Sequence, residues 1–82
     1  MASKSDPNNL SHLAPGDSAR LSGFSDEIPE HLRNRVLALG FVPGTEVKSV
    51  RRAPFGDPTE YELRGGRVSL RRSEAALLLI VK

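Results

Sequence analysis

A mainly β fold, a small and strongly bent five-stranded barrel carrying one inserted α-helix, is predicted by three features of this 82-residue chain. The run Leu37 to Val47, LALGFVPGTEV, writes a helix end, a tight turn and a strand start in consecutive residues. Beyond Gly44 the apolar residues fall into a period of two, that of a half-buried strand. Five short strands in a chain too small for a second core need closure, because a flat sheet of this size would expose its edges. The expected organisation is one domain over residues 10–82 behind a flexible polar tail at residues 1–9.

Each element has a local cause. Leu10 and Leu13 flank His12 ahead of the turn signal Ala14-Pro15-Gly16-Asp17, which leads into a strand at about Ser18 to Ser22 with Ala19 and Leu21 on one face. Asp26 or Ser25 can cap a helix over about residues 27–39, whose first turn tolerates Pro29 because no intrahelical donor is lost there. Ile28, Leu32, Val36 and Leu39 recur at helical spacing as its buried stripe, widened by Leu37. Gly40 suits the left-handed position past the helix, Phe41 folds back onto the last turn, and Pro43-Gly44 supplies the dihedrals of a type II turn. Gly40, Pro43 and Gly44 are thus read as structural.

The second half continues in strands. Glu46 to Ala53 is followed by the loop Pro54-Phe55-Gly56-Asp57-Pro58, which its prolines keep out of the ladder. Thr59, Tyr61 and Leu63 alternate inward against Glu60, Glu62 and Arg64; Gly65-Gly66 supplies a two-residue turn, and Arg67 to Arg71 returns with Val68 and Leu70 inward. Arg72 to Ala76 reads as a single helical turn capped by Ser73, before a terminal strand Leu77 to Val81.

Composition excludes several classes of function. There is no cysteine, so neither disulfides nor thiolate metal sites are available. The longest apolar run, Ala75 to Val81, falls far short of the roughly 20 residues needed to span a bilayer, and the N-terminus lacks a signal-peptide core. A cytoplasmic protein without direct membrane insertion is expected. The net charge is +2, but residues 47–82 carry eight Lys/Arg against four Asp/Glu, whereas residues 1–46 carry four against six. Such asymmetry marks a surface for an acidic partner, or simply the solvated face of alternating strands.

No catalytic constellation is present: nucleophile elbow, phosphate-cradling glycine loop and zincin motif are all missing, and only His12 and His31 titrate near neutrality. The protein is not expected to be an enzyme or to require a cofactor. Glu27 and His31, four apart, would share a helical face if the helix began at Asp26, and with His12 they are weak candidates for divalent metal binding. Nucleic-acid binding is disfavoured by a shortage of aromatic residues for stacking, since Phe41, Tyr61 and Phe24 read as interior. That leaves Phe55, which either projects from a hairpin tip or folds down over the open barrel end. Projecting, it would form a partner-binding surface with a rim of Arg51, Arg52, Arg64, Arg67 and Arg71.

The motifs together resemble the FeoA family of small ferrous-iron-transport accessory proteins. They are Leu13-Ala14-Pro15-Gly16-Asp17, the run Leu37 to Val47, Arg52-Ala53-Pro54-Phe55-Gly56-Asp57-Pro58 and Leu70-Arg71-Arg72-Ser73-Glu74-Ala75, in that order over Leu10 to Val81. The resemblance implies an SH3-like barrel with an inserted helix, and a cytoplasmic accessory protein that regulates bacterial ferrous iron uptake by contacting the FeoB-type membrane transporter, whose GTP-binding domain would carry the chemistry. Under it, Arg33 or Arg52 could approach a phosphate. The related C-terminal domain of metal-dependent repressors keeps metal-linked regulation as an alternative, alongside a small-barrel nucleic-acid-binding module. A homodimer through the apolar strand Leu77 to Val81 is a further expectation.

Overall fold

A computed structural model describes residues 8–81. In chain order these form a single 3-10 turn (Leu10–His12), strand β1 (Ser18–Phe24), helix α1 (Glu30–Ala38), strands β2 (Glu46–Arg52), β3 (Thr59–Leu63) and β4 (Gly66–Leu70), the one-turn helix α2 (Arg72–Ala75) and strand β5 (Leu78–Val81). The strands make one antiparallel sheet in the order β4-β3-β2-β1-β5. Among the described residues β4 and β5 do not pair, and α2 spans the chain between them.

The sheet bends where its register slips. One slip lies between Leu21 and Gly23 in the β1–β5 pair, the other between Ser49 and Arg51 in the β2–β3 pair. An extra residue in one strand bends it and re-aims the side chains that follow. In β2, Val47 and Ser49 point into the core, and strict alternation would send Arg51 after them; the extra residue Val50 turns Arg51 outward beside Glu60 and sets Arg52 on the face of buried Thr59, at the rim, where its guanidinium reaches Leu13 O. The enclosed core joins Leu32 and Val36 of α1 to inward residues of the sheet such as Leu21, Val47, Tyr61 and Ile80.

The run Leu37 to Val47 folds as its sequence requires. Phe41 N–H donates to Val36 O at 2.9 Å and Gly40 N–H to Leu37 O at 3.0 Å, a Schellman ending with Gly40 at φ 109°. Val36 and Phe41 are both fully buried, which supplies the apolar contact that accompanies this motif. Thr45 N–H donates to Val42 O at 3.0 Å around Pro43-Gly44, with Gly44 at φ 97°. Gly44 N–H then donates to Leu21 O at 2.7 Å, which ties the turn to β1.

Several sequence expectations are corrected. Helix α1 begins at Glu30, with Pro29 in the extended N-cap position, because Ser25 organises the preceding residues as a turn: its hydroxyl accepts from Glu27 N–H and its carbonyl from Ile28 N–H. Leu39 is 44% exposed rather than part of the buried stripe, whereas Phe41, past the helix end, is fully buried. The β3–β4 turn is Arg64-Gly65, with Arg64 at φ 52° and Gly65 at φ 83°, and Gly66 already pairs with Leu63. Ser73 does not cap α2; Arg71 holds the N-cap position, and its N–H donates to the Glu74 carboxylate at 3.0 Å. Phe24 is half-buried rather than interior.

The N-terminal boundary also moves. Asn8 and Asn9 were expected in the flexible tail, yet Asn9 bridges to Leu79 and Ile80 N–H donates to Asn8 O at 2.9 Å. The remainder of that tail lies outside the described residues. These contacts occupy part of the free edge of β5, the strand expected to pair with a second copy. Leu10 and Leu13 are fully buried, and Leu10 O accepts the Tyr61 hydroxyl at 3.3 Å. Burial pushes the Tyr61 phenol above its ordinary pKa of 10.0.

Candidate functional site

The β2–β3 connection carries the largest exposed apolar group described. Ala53 N–H donates to Pro58 O at 2.9 Å and Gly56 N–H to Ala53 O at 2.7 Å, so residues 54–58 close into a short loop on the two strand ends. Gly56 sits at φ 89°, a region L side chains rarely adopt. Arg72 N–H donates to Asp57 Oδ1 at 2.8 Å and ties the loop to the start of α2. Phe55 therefore projects at the tip, 97% exposed, and does not fold down over the barrel end.

Strand register gathers the arginines beside it. Arg51 lies opposite Glu60 and Arg52 opposite Thr59, while Glu60 and Thr59 pair on their other side with Ser69 and Leu70. Arg71 and Arg72 follow at once. A cleft of about 480 Å³ opens here, lined by Arg51, Arg52, Pro54, Pro58, Glu60 and Ser69. A second cleft of about 290 Å³ shares Pro58 and Ser69 with it and continues to Arg35, Leu39, Arg71 and Glu74.

The two carboxylates in these clefts are already engaged. Glu60 accepts from Arg51 Nε at 3.0 Å and lies 3.7 Å from Arg67 Nη1, while Glu74 accepts from Arg35 Nη2 at 2.6 Å. Partial burial raises the Glu74 pKa, but hydrogen bonds from Arg71 N–H and the Arg35 guanidinium outweigh it and hold the carboxyl below its ordinary 4.5. Arg52 donates to Leu13 O at 3.5 Å, and neither Arg52 nor Arg71 forms an ion pair among the described residues. Arg71 still helps to hold the Glu74 carboxyl low, so the surface carries an excess of positive charge rather than isolated cations.

Of the residues picked from sequence, the fold brings Phe55, Arg51, Arg52 and Arg71 to one end of the sheet, whereas Arg67 stands beside the β3–β4 turn, opposite Glu62, and only its guanidinium reaches toward them, 3.7 Å from Glu60. Arg64 is not with them. It occupies the β3–β4 turn at the opposite end of β3, in a separate cleft of mixed charge with Glu46, Lys48 and Glu62. Leu39, Pro58 and Ser69 were missed: Leu39 sat on a helical stripe that read as core, and the other two become site residues only through pairing across the sheet. The metal candidates are not assembled. Glu27 precedes α1, so the four-residue spacing to His31 is not a helical one, and His12 and His31 are exposed on different elements. Among the described residues no group of three or more His, Asp or Glu is placed to hold a metal ion.

The FeoA domain family matches residues 8–82. The chain belongs to the FeoA family. It is 40% identical over 70 residues to an Fe(2+) transport protein A/Fe(2+) transporter FeoB fusion protein of Porphyromonas gingivalis, covering 82% of this chain and only 8% of that one. Stenotrophomonas maltophilia FeoA complexed with zinc, described as a prokaryotic SH3 domain protein, superimposes with a TM-score of 0.79 at 32% identity over 89% of this chain and 88% of its own. The FeoA protein of Chlorobium tepidum gives a TM-score of 0.81 at 35% identity, over 88% of this chain and 67% of its own. The SH3-like barrel implied by the sequence motifs is thus the fold of this FeoA chain. No helix among the described residues is long and apolar enough to cross a membrane.

Proposed function

We propose that this FeoA chain is a non-enzymatic accessory protein of bacterial ferrous iron uptake that acts by binding the cytoplasmic part of a FeoB-type transporter. The observation that carries the reading is the fusion relative, in which a stretch 40% identical to this chain is covalently joined to FeoB. Fusion replaces a bimolecular encounter with a high effective concentration, which benefits two modules that work in contact. The exposed Phe55 tip and its arginines support a binding role, because an apolar anchor within a charged rim is the anatomy of a protein interface. Transport chemistry belongs to the partner, and this chain sits in the cytoplasm, peripheral to the membrane through it.

The test is calorimetric titration of the chain into the soluble cytoplasmic domain of the ferrous-iron transporter from the same cell, repeated with GDP, a GTP analogue and ferrous ion. Saturable binding at physiological salt is expected, and a nucleotide-dependent affinity would show which state of the transporter it favours. Absence of binding in every condition removes the proposal. Binding to nucleic acid that collapses steeply with added salt would favour the nucleic-acid module instead.

A further inference from the structure

Resting on that reading, we infer that the two clefts meeting at Pro58 and Ser69 form one continuous groove that takes an acidic segment of the transporter's cytoplasmic part, anchored by apolar residues at the groove's two ends. Three large hydrophobic residues are exposed among the described residues, Leu39, Phe55 and Val81. Two of them mark this groove. Leu39 lines the second cleft, and Phe55 stands on the loop whose Pro54 and Pro58 line the first. Between the anchors lie Arg35, Arg51, Arg52 and Arg71 against only Glu60 and Glu74, both ion-paired already. An occupant bringing carboxylates to Arg52 and Arg71, neither of which is in an ion pair among the described residues, meets an excess of positive charge, and one bringing apolar side chains covers surface that water now wets.

Two other occupants are less well matched. A second copy offers Asp26, Glu27 and Glu30 around Ile28, the right signs of charge, but Ile28 packs against its own core and is withheld as an anchor. An anionic lipid surface would engage Phe55 and the arginines, yet a flat surface leaves the concave clefts unfilled. The concavity favours a chain segment.

The experiment is titration of the full-length chain and its variants into the transporter's soluble cytoplasmic domain, with vesicles of equal parts phosphatidylcholine and phosphatidylglycerol as a second probe. F55A and L39A are each expected to weaken binding to the domain about tenfold, as interface anchors do. The charge reversal R52E/R71E weakens it further at low salt, with the difference shrinking as salt screens the pair. R33E, in a separate cleft with Phe24, Asp26 and Ile28, leaves affinity unchanged. All these side chains are exposed, and melting curves matching that of the parent chain confirm that each variant folds.

If the parent chain binds and F55A, L39A and R52E/R71E bind equally well, the groove is not the interface, while the accessory function stands. If the parent chain fails to bind the domain at all, both fall. Vesicle binding abolished by the same substitutions, without domain binding, assigns the surface to lipid. Concentration-dependent self-association lost in D26K/E27K assigns it to a second copy, and either result overturns the inference.

Discussion

Two phenylalanines in this chain have opposite fates, and the difference sets what each substitution does. Phe41 is fully buried against Val36 at the helix end, so Phe41→Ala is expected to cost about 3–5 kcal/mol. That is comparable to the roughly 3–5 kcal/mol a core of this size supplies, so the variant should be largely unfolded at room temperature by circular dichroism. Phe55→Ala, at a 97% exposed position, should move stability by no more than about 0.5 kcal/mol. Ser49 runs the other way, because its fully buried hydroxyl has no hydrogen-bond partner among the described residues. Ser49→Ala removes the cost of burying that group and should raise stability by about 1 kcal/mol, read as a higher urea midpoint at unchanged slope. The burial of Phe41 was legible because Gly40 precedes it at a helix end. The projection of Phe55 was not, since it depends on Asp57 meeting the backbone of Arg72, fifteen residues further on.

Element boundaries were read well where glycine and proline punctuate the chain and poorly where side chains compete for the backbone. The helix-to-strand run held because Gly40 and Gly44 take the positive φ values it demands. The start of α1 was misplaced because Ser25 diverts the next residues into a turn, which removes the helical spacing on which the pairing of Glu27 with His31 rested. The bulge at Val50 left no mark in the sequence, although it decides that Arg51 faces solvent. For α2 the determinant is Glu74, which accepts from Arg71 N–H and from Arg35. Its folded pKa is depressed, so the stability it contributes is present above its unfolded value near 4.5 and is lost as pH falls through the lower folded value. Glu74→Gln should therefore be less stable than the parent chain at pH 7, and the gap should narrow as pH falls below about 4.5. Urea titrations at neutral and acid pH measure it, and a gap independent of pH would show that the contribution is packing rather than charge.

The whole molecule handles its open sheet by different means at its two edges. Asn8 and Asn9 cover part of β5, whereas β4 is short and carries the exposed Arg67, a residue type that discourages pairing with another strand. The barrel itself was legible from strand spacing and turns, but the groove was not, because it joins the end of α1, the β2–β3 loop and the start of α2, segments that only the bent sheet brings together. If that groove works by affinity alone, covalent attachment of the kind found in the fused relative should make its anchors dispensable. In a strain lacking its own copy, the separate Phe55→Ala chain at low expression should support less ferrous iron uptake than the parent chain. The same variant joined to the transporter by a flexible Gly/Ser linker should recover most of the difference, because a short linker supplies an effective concentration on the order of millimolar, enough to offset a tenfold weaker contact. Uptake of labelled ferrous iron, normalised to transporter abundance, measures both. Should the fused variant remain as impaired as the separate one, Phe55 would be acting on the transporter's working state after docking, and affinity would not be its contribution.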